Sequence, residues 1–139
     1  MDKFVKKRLI EIGANSSKIY IVGHPGIEHE IKKVLSISSN TKHKIREILC
    51  ISPKNKIVLL ALEPLSNDFP SKFINYDEYS ITVLLAKTIN KLKSRNFKLL
   101  IRLHPRQSRL DFEKFLIKKK FKNVILEPKE ISLSQSIAI

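Results

Sequence analysis

The chain has 139 residues, with 27 Lys and Arg against 13 Asp and Glu, a formal net charge of +14. That length carries one full α/β domain and is too short for two, and 42% hydrophobic with 29% charged residues excludes a disordered chain. No apolar run approaches the roughly 20 residues of a membrane span, and the single Cys50 excludes an internal disulfide and a cysteine-based zinc cluster.

The segment Met1 to Arg8 is basic but has neither an apolar core nor a small-residue cleavage site, so it does not read as a signal peptide, and a cytoplasmic setting is the expectation. Residues 3–12 place Phe4, Val5, Leu9 and Ile12 at helical spacing, with Gly13 as a natural stop. Lys18 to Gly23 is a short apolar run that reads as a buried strand. His24-Pro25-Gly26 is a turn, after which Ile27, Ile31, Val34 and Leu35 recur at helical period, with Glu28 and Glu30 where the helix dipole favours them. A short helix using Ile45, Ile48 and Leu49 follows Asn40-Thr41, and Ser52-Pro53-Lys54-Asn55 breaks it.

Lys56 to Leu62 is a continuous apolar run, the pattern of a strand buried on both faces in a parallel sheet. A polar loop with Pro64 and Pro70 leads to Asn75-Tyr76-Asp77-Glu78, which has the spacing of a capping box with Asn75 at the cap and Glu78 three residues on. The helix it opens runs through Ile81, Leu84, Leu85, Ile89 and Leu92. Lys98 to His104 is the next strand. Ser108 and Asp111 cap a helix built on Leu110, Phe112, Phe115 and Leu116, and Asn123 to Leu126 is a further short strand. Strands alternating with helices predict an α/β fold with a parallel, Rossmann-like sheet. Residues 36–55 are the candidate linker.

Ligands of open parallel sheets bind beyond the carboxyl ends of the strands. Three such ends carry unusual residues: Gly23-His24-Pro25-Gly26, Glu63-Pro64 and Arg102-Leu103-His104-Pro105-Arg106. His104 closes a strand, and Pro105 keeps it extended. An imidazole there can donate to a phosphate oxygen or act as a general acid. Arg106 can grip an oxyanion through two bonds, and Arg102 shares the face of His104 by two-residue alternation. The opposing reading is a strand-end turn with solvated arginines. His24 sits in a similar turn, where Gly26 permits a close backbone approach; the opposing reading there is an incidental histidine. Glu63 is either a base or a loop carboxylate. There is no GxGxxG, Walker loop or HExxH, and no metal or cofactor is expected.

The passage Lys7 to Gly13 followed by Lys18 to Pro25 resembles the end of the N-terminal domain of GT-B type glycosyltransferases. Lys56 to Pro64 resembles the first strand of their C-terminal domain, and Ile101 to Arg106 resembles the His-Pro motif of bacterial capsule and teichoic-acid enzymes, including CDP-glycerol glycerophosphotransferases and polysialyltransferases. The resemblance covers most of the chain. It implies three parts: residues 1–35 as the end of an N-terminal Rossmann-like domain and crossover, 36–55 as linker and helix, and 56–139 as the first half of a nucleotide-binding Rossmann-like domain. It further implies that His104 contacts the donor's phosphates as an acid for the leaving nucleoside phosphate, with Arg102, Pro105, Arg106, Glu63, Pro64, His24 and Gly26 around the nucleotide. The donor would be a nucleotide-sugar or CDP-alditol, CDP/CMP- or UDP-linked, used in surface polysaccharide biosynthesis.

Enzymes of this type are more than twice this length, so the expectation is a partial transferase that is not competent alone, or one piece completed by a second subunit. The basic balance leaves an alternative open, a non-enzymatic module attracted to an anionic membrane surface or to nucleic acid. Nucleic acid is disfavoured, because the lysines are spread along the chain, there is no Trp, and the aromatics are not interleaved with basic runs. An anionic partner would put the protein at the inner membrane face.

Overall fold

Gly13 stops the first helix as expected. In the computed structural model, which describes residues 3–22, 24–69, 75–92 and 96–139, helix α1 (Lys3–Glu11) ends where Gly13 adopts φ +97°, a left-handed conformation that side chains resist. A single 3-10 turn at Ser16–Lys18 follows, capped by the Asn15 side chain. The strand expected from Lys18 to Gly23 does not form over the described residues 18–22. Residues 19–22 pair with no described strand, and the Ile19 carbonyl is instead taken by the Lys6 ammonium at 2.7 Å. A strand requires a ladder partner for its backbone groups; without one, Tyr20 and Val22 stay exposed. Gly23 lies outside the described residues, as does Pro70. Helix α2 (Pro25–Ser36) begins at His24, whose Nδ1 accepts from Ile27 N–H.

The chain divides after Ile37 into two units. The second holds helix α3 (Ser39–Ile48), strand β1 (Lys56–Ala61), the one-turn α4 (Leu65–Asp68), α5 (Glu78–Lys91), β2 (Phe97–Arg102), α6 (Arg109–Lys119), β3 (Val124–Leu126) and α7 (Leu133–Ala138). Segment 36–55 thus contains a helix that belongs to the body of this unit, with Ile45 and Leu49 buried.

The three strands form an open parallel sheet in the order β1-β2-β3. Lys56 faces Phe97 and Ala61 faces Arg102 across one pair; Leu99 faces Val124 and Ile101 faces Leu126 across the other. Alternation splits the apolar strand residues between two cores. Leu99 and Ile101 join Ala86 and Ile89 of α5 and Phe112 of α6 on one side, whereas Leu100 joins Ile45, Leu49, Ile51 and Ile131 on the other. Both faces are covered, which is why β1 and β2 read as unbroken apolar runs. Tyr79, Phe112 and Phe115 form an aromatic cluster on the α5–α6 side, with ring centroids 4.9 to 5.4 Å apart.

The cap of α5 is displaced from its expected position. Asp77, not Asn75, is the N-cap; its carboxylate accepts from Ser80 N–H at 2.6 Å, and the Ser80 hydroxyl completes the box. Glu78, expected as the reciprocal capping group, turns inward and is buried, accepting from the backbone N–H and the hydroxyl of Ser66 at 3.1 and 2.7 Å. It fastens α4 to α5.

Candidate functional site

Each strand of the sheet runs out into an X-Pro step: Glu63-Pro64 after β1, His104-Pro105 after β2 and Glu127-Pro128 after β3. Proline has no N–H to give to a ladder, so pairing stops there and the chain turns away. The ladder reaches its last bonds at Leu62 N–H to Arg102 O and Glu127 N–H to Ile101 O, both 2.9 Å. A cavity of about 290 Å³ opens just beyond, lined by Arg102, Leu103, His104, Pro105, Gln107, Arg109, Glu127, Pro128 and Lys129. Of the cations lining it, Arg102 is paired with Glu127 and Arg109 with Glu113, and Lys129 makes no ion pair among the described residues, so the lining carries a modest positive bias.

His104 lies on the central strand's exit, in a tight turn. Its N–H donates to Gln107 Oε1 at 2.8 Å, and Gln107 N–H donates back to the His104 carbonyl at 2.9 Å. The Arg106 N–H donates to His104 Nδ1 at 3.2 Å. That bond occupies Nδ1 as an acceptor, so the neutral ring carries its proton on Nε2. Nε2 stands 4.0 Å from Glu63 Oε2, and the Glu63 side chain is largely exposed. The turn therefore fixes the tautomer of a histidine that lines the cavity, leaving Nε2 as its N–H donor.

The two arginines of this segment have different duties. Arg102 faces the α7 side of the sheet, and its NH1 donates to Glu127 Oε2 at 2.6 Å, Ile131 O at 2.9 Å and Ser136 Oγ at 3.1 Å. The Ser136 hydroxyl closes the network by donating to Glu127 Oε1. Glu127 is almost fully buried, at 1% side-chain exposure, against 28% for Arg102. This ion pair ties β3 and α7 to the central strand. Arg106 instead makes a two-bond pair with Asp68. Arg109, one residue into α6, donates to Glu113 Oε1 and to the Glu127 carbonyl, both at 2.7 Å, and so forms the cavity wall between α6 and the end of β3.

Glu78 supports the loop from below. Burial pushes its carboxyl up, but hydrogen bonds from Ser66 and its own backbone N–H, with the nearby Gln107 amide last, more than offset this, and the group lies below the ordinary glutamate range. Gln107 Nε2 itself is buried with no hydrogen bond of good geometry, so its contribution is the field of a nearby dipole.

Of the residues singled out from the sequence, Glu63, Arg102, His104 and Pro105 gather at the ends of β1 and β2, with Pro64 buried behind them and Arg106 beside them. His24 and Gly26 belong to the first unit. There His24 serves as the cap of α2, and Gly26 lies in the first helical turn, where an added Cβ would meet the His24 ring at 3.2 Å. Sequence reading missed Glu127, Arg109, Gln107, Asp68 and Ser136. Glu127 had a signal, the third occurrence of a strand followed by X-Pro. Gln107 acts locally, returning to His104 three residues back, and the other three had no signal, because their roles depend on partners 9 to 38 residues away. Among the described residues, no group of three or more His, Cys, Asp or Glu could hold a metal ion, and no helix is long and apolar enough to cross a membrane.

Compared with protein-family models, with curated proteins and with solved structures, the chain matches none.

Proposed function

We propose that the carboxyl end of this sheet binds the phosphates of a nucleotide-activated donor, CDP/CMP- or UDP-linked, and that the chain is a glycosyltransferase-like, partial GT-B unit of surface polysaccharide synthesis. The observation that carries the reading is His104. It is held by a two-way turn, has Nδ1 occupied so that the neutral ring donates from Nε2, and lines a cavity walled by Arg102, Arg109 and Lys129. In glycosyl or alditol-phosphate transfer, an acceptor oxygen displaces a nucleoside phosphate, and negative charge grows on the departing phosphate oxygen. A donor already oriented at that oxygen stabilises the charge and can deliver its proton. Lys129 adds positive potential without needing direct contact. A donor site of this kind fits a cytoplasmic protein working at the inner membrane face.

The test is calorimetric titration of the full chain with CDP, CMP and UDP at two salt concentrations, with His104→Ala alongside. Saturable binding that keeps its nucleotide order at high salt, and that weakens about tenfold to a hundredfold in His104→Ala, is the expected result for a hydrogen bond to a charged group. Binding that salt abolishes equally for every nucleotide, in both proteins, would refute the reading and leave the alternative of a basic surface for nucleic acid or an anionic membrane.

A further inference from the structure

Arg106 does not face the site as a bare cation. Its NH1 and NH2 donate to Asp68 Oδ1 and Oδ2 at 2.8 and 2.7 Å. This forked arrangement is the one a guanidinium uses for a phosphate as well as for a carboxylate. Asp68 is the last residue of α4, and α4 is fastened at Ser66 to the buried Glu78. The carboxylate is therefore delivered to Arg106 by a tethered turn rather than by a free-swinging loop. The Arg106 hydrogen bonds hold the Asp68 carboxyl below the ordinary aspartate range, outweighing the burial that would raise it, and the charges of Arg106 and His104 act in the same direction. Arg106 links Asp68 to the histidine assigned to the phosphate, because its backbone N–H donates to His104 Nδ1.

We propose that Asp68 is a resident competitor for the phosphate seat, occupying the Arg106 fork so that a ligand phosphate engages Arg106 only by displacing the carboxylate. The proposal rests on the reading of the strand ends as a phosphate site. It explains why the guanidinium beside His104 is held by a carboxylate 38 positions away: the exchange sets the affinity, and Arg106 serves as a second anchor beside His104. The ion pair is partly solvated, with side-chain exposures of 58% for Arg106 and 33% for Asp68, so displacement needs no buried charge to be stranded.

The experiment is titration of the full chain with CDP and with cytidine, in wild type, Asp68→Asn, Arg106→Ala and the double variant. Asp68→Asn should tighten CDP binding about two- to fivefold, the effect of releasing one exposed ion pair. It should leave cytidine unchanged, and its effect should vanish in the Arg106→Ala background. Asp68→Ala, which removes the carboxylate without adding an amide, should behave as Asp68→Asn does. If wild type binds CDP through His104 and neither Asp68 variant tightens it, the competitor role is refuted and the phosphate site stands. Tightening that persists without Arg106 also refutes it, since bulk charge alone would then be the cause. If neither wild type nor the Asp68 variants bind CDP, the phosphate site falls and this inference with it.

Discussion

Removing the carboxylate of Glu127 tests the network that holds the cavity together. Glu127→Leu leaves the Arg102 guanidinium with only the Ile131 carbonyl and the Ser136 hydroxyl in place of three acceptors. Breaking a buried ion pair costs about 3–5 kcal/mol, because the surviving charge is stranded. Arg102 retains 28% side-chain exposure, so Glu127→Leu falls near the lower end, about 3 kcal/mol. Arg102→Leu strands the deeper charge, since Glu127 is 1% exposed, and falls near the upper end, about 4–5 kcal/mol. The double variant strands neither charge, and it should cost no more than the worse single. Urea unfolding followed by far-UV circular dichroism reads these values. With a slope of about 2 kcal/mol/M, the loss in Glu127→Leu moves the midpoint down by roughly 1.5 M. Single-variant losses that add within about 0.5 kcal/mol in the double would refute the reasoning, since independence would mean that the two groups are not a coupled pair.

Two further outcomes follow from the same structure. Phe112→Ala removes a ring at 1% exposure from the Tyr79–Phe115 cluster and should cost about 3–5 kcal/mol, lowering the thermal midpoint by roughly 10 °C; a shift of a degree or two would mean that the cluster is not a packed core. Glu78 has a depressed folded-state pKa, so the unfolded chain takes up its proton first as the solution is acidified. The stability it contributes is present above the ordinary glutamate range and is lost as pH falls through its folded value. The gap in urea midpoint between wild type and Glu78→Gln should therefore be widest at neutral pH and close on acidification, and a gap that widened in acid would reverse the sign of the argument.

The second unit was legible because its signals are local and agree with one another. The apolar runs at 56–62 and 98–104, the cap at Ser108 and the aromatic period of α6 all need only near neighbours to be read, and the structure has a strand, a strand and a capped helix there. The run at 18–23 carried an equally apolar pattern and formed no strand, because a strand is made by its partner and none of the described segments pairs with it. The α5 cap lies two residues beyond its expected position for a related reason. Asn75 and Asp77 are both good cap residues in isolation, and the choice fell to Asp77 once Glu78 was drawn into its bonds with Ser66.

Sequence alone determined the alternation of helix and strand from residue 56 onward, the burial of both sheet faces and the appearance of His104 and Arg106 at a strand end. Each follows from periodicity or from the rule that proline ends a ladder. Only the tertiary structure decided what those side chains were free to do. Arg102 became a structural cation because parallel pairing set Glu127 at the end of the neighbouring strand, and α7 supplied Ser136. Arg106 acquired a carboxylate from a residue 38 positions away, and His104 had its tautomer fixed by the turn that followed it. Charge and hydrogen-bonding capacity are properties of residue types, but availability depends on which groups the fold brings within about 3 Å, and that distance is written nowhere in the order of the chain.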